Sequence, residues 1–235
     1  MATFQTHIAF STALGVAYGG VAGVMFDLPV PTCVLAGGLC SVSGMLPDVD
    51  SNAGVPLRES MALVAAVVSM MIAHRLRRFG MSPESTILGG AAVYALIRFG
   101  LAEFLRRHTV HRGMFHSLPA AAIFGLLEFL LAPSEELQLR IYLAGAVGIG
   151  YLSHLLLDEL YSIEWYRGRL RLKPTFGTAM KLFGRTWWPT ILVYLQLLIL
   201  VYVAFKEPGW MRQHFKETIR PTIRQASSAV NQLLR

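Results

Sequence analysis

Residues Phe4 to Phe26, FQTHIAFSTALGVAYGGVAGVMF, run without a single Asp, Glu, Lys or Arg. A helix that crosses the hydrocarbon core of a bilayer needs roughly 20 predominantly apolar residues, and this stretch meets that length. Working outward, six more apolar runs follow, at residues 31–46, 57–73, 87–101, 118–132, 137–157 and 187–205. Across the 235 residues 54% are apolar and 15% charged, whereas a soluble domain carries about 25% charged residues. The chain therefore reads as all-α, a polytopic helical membrane protein of about seven transmembrane or half-spanning helices.

The first, sixth and seventh runs are long enough to span. The middle four are short, and span only with Arg and Trp anchors and local thinning of the bilayer, or remain half-spans. Residues 1–205 form the expected membrane domain and 206–235 a polar, basic tail. No basic residue precedes the first run and further spans follow it, so it is read as retained rather than as a cleaved signal. Cys33 and Cys40 on one helix lie about two turns, or roughly 10 Å, apart, too far to bridge. The net charge of +7 comes from short basic clusters beside apolar runs, where they anchor helix ends to anionic headgroups. Membrane lipids are the expected partners, and nucleic acid is not.

Polar side chains are costly inside a membrane, so their placement carries information. His7 follows Thr6 at the start of the first run. Leu46-Pro47-Asp48-Val49-Asp50 ends the second, His111-Arg112-Gly113-Met114-Phe115-His116-Ser117 opens the fifth, and His154-Leu155-Leu156-Leu157-Asp158 closes the sixth. If successive runs alternate in direction, all four clusters fall on one face of the membrane. His154 and Asp158, four apart, share a helix face. A Pro-interrupted helix end lets Asp48 and Asp50 aim apart, one into a site. Ser117 is placed to cap a helix that has Pro119 in its first turn, with His116 just outside it. Four imidazoles and three carboxylates on one face can supply the ligands that zinc, manganese or iron accept, for one ion or two. The bland reading is a solvated polar rim.

On Thr6-His7, the LPDVD stretch, His111-Arg112 through His116-Ser117, and Ser153-His154-Leu155-Leu156-Leu157-Asp158, the sequence resembles the YdjM-like family of bacterial inner-membrane proteins, described as metal-dependent hydrolases. The matching elements run over most of the membrane domain. More distantly, the pattern is similar to the ligand plan of zinc-dependent phospholipase C and single-strand nucleases, which implies a multi-zinc phosphoesterase. The resemblance implies, and the residues permit, metal-assisted hydrolysis with a divalent ion, zinc before manganese or iron. His7, Asp48, His111, His116, His154 and Asp158 are the candidate ligands. Asp50 is a candidate general base or a partner of a ligand histidine, and Arg112 a candidate for holding phosphate.

Arg98, inside the fourth run, either snorkels to the interface or faces the site. Arg167, Arg169, Arg171 and Lys173 alternate along the segment after the sixth run, which places the cations on one side if that segment is extended. Lys and Arg divide evenly between the two faces, so the positive-inside rule sets no orientation. The expected function is a membrane-embedded metal-dependent hydrolase acting at the interface on phospholipid or other lipid-linked phosphate esters. The rival is a non-catalytic metal-binding scaffold or a metal transporter, and the gathering of the cluster at one face, rather than at the midplane where transport sites lie, favours the hydrolase.

Overall fold

A computed structural model describes residues 2–50, 54–101, 103, 113–132, 134, 136–166, 169–173, 176–184 and 187–206. Among these residues the helical elements are α1 (Phe4–Phe26), α2 (Val30–Ser43), α3 (Gly54–Arg78), α4 (Pro83–Ala95), α5 (Leu118–Leu131), α6 (Leu137–Leu160) and α7 (Trp187–Lys206). A 3-10 turn, Leu46–Asp50, follows α2, and a π-helical stretch, Leu96–Leu101, continues α4. Each apolar run of the sequence is thus a helix. The segment after α6 is extended, as an antiparallel hairpin of β1 (Ile163–Tyr166) and β2 (Arg169–Leu172). Among the described residues, four helical segments are long and apolar enough to cross a membrane: α1, α2 with its 3-10 extension to Asp48, α6 and α7.

At 1.5 Å per residue, the 23 residues of α1 extend about 35 Å, more than the roughly 30 Å hydrocarbon core. Thr3 caps its start, accepting a hydrogen bond from the Thr6 amide at 3.2 Å. Asp27 ends it in the left-handed conformation at φ 51°. The outer surfaces of α1 and α7 are apolar. Val24 is 88% exposed, and Met25, Phe26, Leu198 and Tyr202 also point outward. Water would penalise such a surface and lipid does not, so these faces are the ones the bilayer covers.

Inside, the helices meet through small residues, as membrane helices do when packing rather than water exclusion drives association. A Cβ built on Gly15 would collide with the Gly37 carbonyl, and one on Gly19 would lie 2.5 Å from the Cys33 oxygen. That contact clamps α1 against α2. Gly150 of α6 presses in the same way on the Cys40 carbonyl and the Ser43 hydroxyl of α2. One buried cluster, Ala36, Leu39, Cys40, Leu143, Ala146 and Val147, fills the α2–α6 seam, with Ala132 beside it. A second, including Leu46, Met61, Ala120, Tyr151 and Leu155, joins α3, α5 and α6 under the 3-10 turn. Cys33 and Cys40 are both free thiols.

The 14 residues of α5 reach only about 21 Å, so its C-terminal carbonyls end where no water can satisfy them. Protein donors do so instead. Buried Arg140 of α6 gives the Phe129 carbonyl two hydrogen bonds, 2.8 Å from Nε and 2.6 Å from Nη2, with its guanidinium 4.3 Å from the Phe129 ring centroid. Arg75 of α3 donates to the Leu130 carbonyl. Both cations also oppose the negative end of the helix dipole.

Candidate metal centre

His7 lies in the first turns of α1, Asp48 in the 3-10 turn after α2, His116 one residue before the Ser117 cap of α5, and His154 and Asp158 one turn apart near the end of α6. The close α1–α2 and α2–α6 contacts bring these ends together. His7, His116, His154 and Asp158 are each at most 2% exposed, while the Asp48 side chain is 24% exposed. Asp48 therefore marks the open side of the cluster.

The ligand-type atoms converge at even spacing. His7 Nε2 is 3.4 Å from Asp158 Oδ1, and His116 Nε2 is 3.8 Å from Asp158 Oδ2. Asp48 Oδ1 stands 3.6 Å from both His116 Nε2 and His154 Nε2. Good N–H···O hydrogen bonds span about 2.7–3.2 Å, so these pairs are too long. Two ligands each about 2.1 Å from one tetrahedral ion lie about 3.4 Å from each other, and the four separations fall near that edge length. Two trios, His7, His154 and Asp158, and Asp48, His116 and His154, each hold their ligand atoms within 4.8 Å. The donor set, imidazole nitrogen and carboxylate oxygen, fits a borderline-soft dication.

The surroundings fix the donors. His154 Nδ1 lies 2.8 Å from the Gly44 carbonyl. A carbonyl only accepts, so Nδ1 carries a hydrogen, and in the neutral ring Nε2 turns a lone pair toward Asp48. Two acceptors facing each other are stabilised by a cation between them. The His7 and His154 rings stack at 3.7 Å with 14° between planes, and His116 meets His154 edge-on at 5.5 Å. Ser117 caps α5 through the Ala120 amide, with Pro119 in the first turn. Tyr151 OH donates to the Phe115 carbonyl, holding the turn that carries His116.

The remaining candidates divide by position. His111 and Arg112 lie outside the described residues, as do 207–235 of the tail, Arg167 and Arg185. Asp50 closes the 3-10 turn, with only its backbone described. Arg98 is half-buried in the π-helical stretch, its guanidinium 5.6 Å from the Phe99 ring centroid, and belongs to neither trio. Tyr151 and Glu159 escape the sequence reading. Glu159 follows Asp158 in a last turn that contains no basic residue. A second carboxylate at the negative end of a helix dipole demands compensation, and that is the signal that could have found it.

A protein-family model described as YdjM inner membrane protein matches residues 1–217. Comparison with curated proteins and with solved structures returns no match for this chain.

Proposed function

The chain belongs to that family of inner membrane proteins, and on that footing we propose that it is a multi-pass protein of the bacterial inner membrane that hydrolyses phosphate esters with a divalent metal. His7, Asp48, His116, His154 and Asp158 would hold the ion, zinc ahead of manganese or iron, and the sequence adds His111 as a further ligand. The reading rests on the even 3.4–3.8 Å spacing of the imidazole and carboxylate atoms, too long for hydrogen bonds and suited to a shared cation. When bound, the metal supplies hydroxide near neutral pH and steadies the leaving oxygen.

The chain's own residues supply the rest. Gly44 holds His154 in the tautomer that offers Nε2. Asp158 presents one oxygen to His7 and the other to His116, so it ties α1 and α5 to one centre. Asp48, the most open member of the cluster, faces the side from which an ester can approach. In hydrolysis the water oxygen bonds to phosphorus, the bond from phosphorus to the alcohol oxygen breaks, and a proton passes to that oxygen. Asp50 is assigned as the base that takes the water's proton, and Arg112 as the holder of the phosphate.

The setting supports a lipid substrate. The cluster sits at the ends of apolar helices, and Phe183, Trp187 and Trp188 are exposed on the same face, where aromatic residues anchor proteins at headgroup level. A phospholipid or other lipid-linked phosphate ester presents its phosphate at that depth.

The test uses the full chain in liposomes or detergent with a panel of phospholipids and lipid phosphates. Expected is product release that chelator abolishes and zinc restores. His116→Ala should lose metal and turnover together, while Asp50→Asn should lose turnover and keep metal. Movement of metal across sealed vesicles without hydrolysis would replace the hydrolase with a transporter, and metal binding alone would leave a scaffold.

A further inference from the structure

After the hairpin, residues 176–184 form a strap across the cluster's face of the bundle. One end is pinned by Glu159 of α6, which is 8% exposed. Its Oε2 accepts from the Gly177 amide at 2.7 Å, and its Oε1 from the Ala179 amide at 2.7 Å and the Met180 amide at 3.2 Å. The other end is tied to α7, where Thr190 Oγ1 accepts from the Gly184 amide at 3.0 Å and Tyr194 OH donates to the Leu182 carbonyl at 3.1 Å. Between the anchors, the Lys181 carbonyl accepts from the Leu118 amide at 3.1 Å, beside a bridge between Ser117 and Lys181.

Leu118 is the first residue of α5, so its amide is one of those that no intrahelical partner satisfies. The strap supplies that partner two residues after His116. Three amides converging on one buried carboxylate make a charge-assisted anchor, about twice as strong per bond as neutral pairs. The helix dipole disfavours Glu159 where it stands, and the strap amides offset that cost.

We infer that Glu159 is a positioning residue for the His and Asp cluster: by anchoring the strap, it holds the start of α5 so that His116 stays in register with Asp48 and Asp158. The inference rests on the proposal that the cluster binds a metal.

The experiment measures zinc affinity of the full chain in detergent by chelator competition, with hydrogen exchange at the strap amides. Glu159→Ala should speed exchange at Gly177, Ala179 and Met180 and weaken zinc binding roughly 10- to 100-fold, the range for residues that support metal ligands. Glu159→Gln, which keeps one acceptor oxygen, should fall between. Because the effect runs through the start of α5, Glu159→Ala should also speed exchange at the Leu118 amide, which donates to the Lys181 carbonyl of the strap. If Glu159→Ala does not fold, Thr190→Val loosens the strap from its other end and should weaken zinc in the same direction. Faster strap exchange with zinc affinity within twofold of wild type, or weaker zinc binding with exchange at Leu118 unchanged, overturns the inference and leaves the metal centre standing. Wild-type protein that binds no zinc, manganese or iron removes the metal centre, and this inference with it.

Discussion

Replacing Gly150 with alanine adds one methyl group where α6 presses on α2. The new Cβ would lie 2.8 Å from the Cys40 carbonyl carbon, closer still to its oxygen, and against the Ser43 hydroxyl, whereas ordinary contact begins at 3.4 Å. A backbone carbonyl cannot swing aside, so the two helices must part by about 1 Å, an overpacking that costs about 1–3 kcal/mol. The damage should reach beyond stability. Gly150 is one turn before His154 on α6, and α2 leads into both Gly44 and Asp48. A shift of about 1 Å would carry the 2.8 Å bond from His154 Nδ1 to the Gly44 carbonyl past the hydrogen-bond limit. Losing that support should weaken metal binding roughly 10- to 100-fold. Gly148 is the control, because a Cβ there meets nothing within 4 Å. Gly148→Ala should leave affinity unchanged and stabilise the helix by up to about 1 kcal/mol. Both are measured by chelator competition and by unfolding in detergent. Equal metal affinity in the two variants would refute the claim that the close α2–α6 approach sets the site.

Three further outcomes are expected. Single cysteines at Thr3 and Glu164, in a background lacking Cys33 and Cys40, should label from one side of the membrane, and those at Arg78 and Met81 from the other; Thr3 and Glu164 labelling from opposite sides would break the alternation that gathers the cluster. Arg140→Met should destabilise the fold by about 1.5–3 kcal/mol, the worth of hydrogen bonds from a charged donor, while metal affinity holds, because Phe129 and the cluster lie at opposite ends of the bundle. In the hairpin, Lys173 Nζ hydrogen-bonds Glu164 Oε1 at 2.8 Å and holds that carboxyl below the usual range. A lowered folded value means the pair's support is present above the unfolded carboxylate value of about 4.3 and fades as pH falls through the folded one. NMR titration of the hairpin should show its pairing loosen only in acid, and Glu164→Gln should remove that dependence.

The helices were legible because lipid demands length and apolarity, both of which a sequence displays. Alternation of direction then placed His7, Asp48, His116, His154 and Asp158 on one face, and the structure draws their side chains together. Which way each helix turns was not legible. A helix that faces lipid on one side and protein on the other is apolar all round, so the 3.6-residue period that marks a buried face in water is lost. Glycine takes over that role, but Gly148 and Gly150 look alike in sequence while only one meets a neighbour. The continuation of α3 to Arg78 went unread because the basic residues of its last turn end the apolar run before they end the helix. The π-helical stretch at Leu96–Leu101 left no composition signal, since it depends on backbone register rather than on residue type.

The capping of α5 by arginines from two other helices bears on how the protein is made. A helix of this length cannot partition into lipid alone, because its last carbonyls would arrive bare. One donor, Arg75, is synthesised before it. The other, Arg140, emerges eleven residues after the Phe129 it serves. The end of α5 is therefore satisfied at its final depth only once the first turn of α6 has been made.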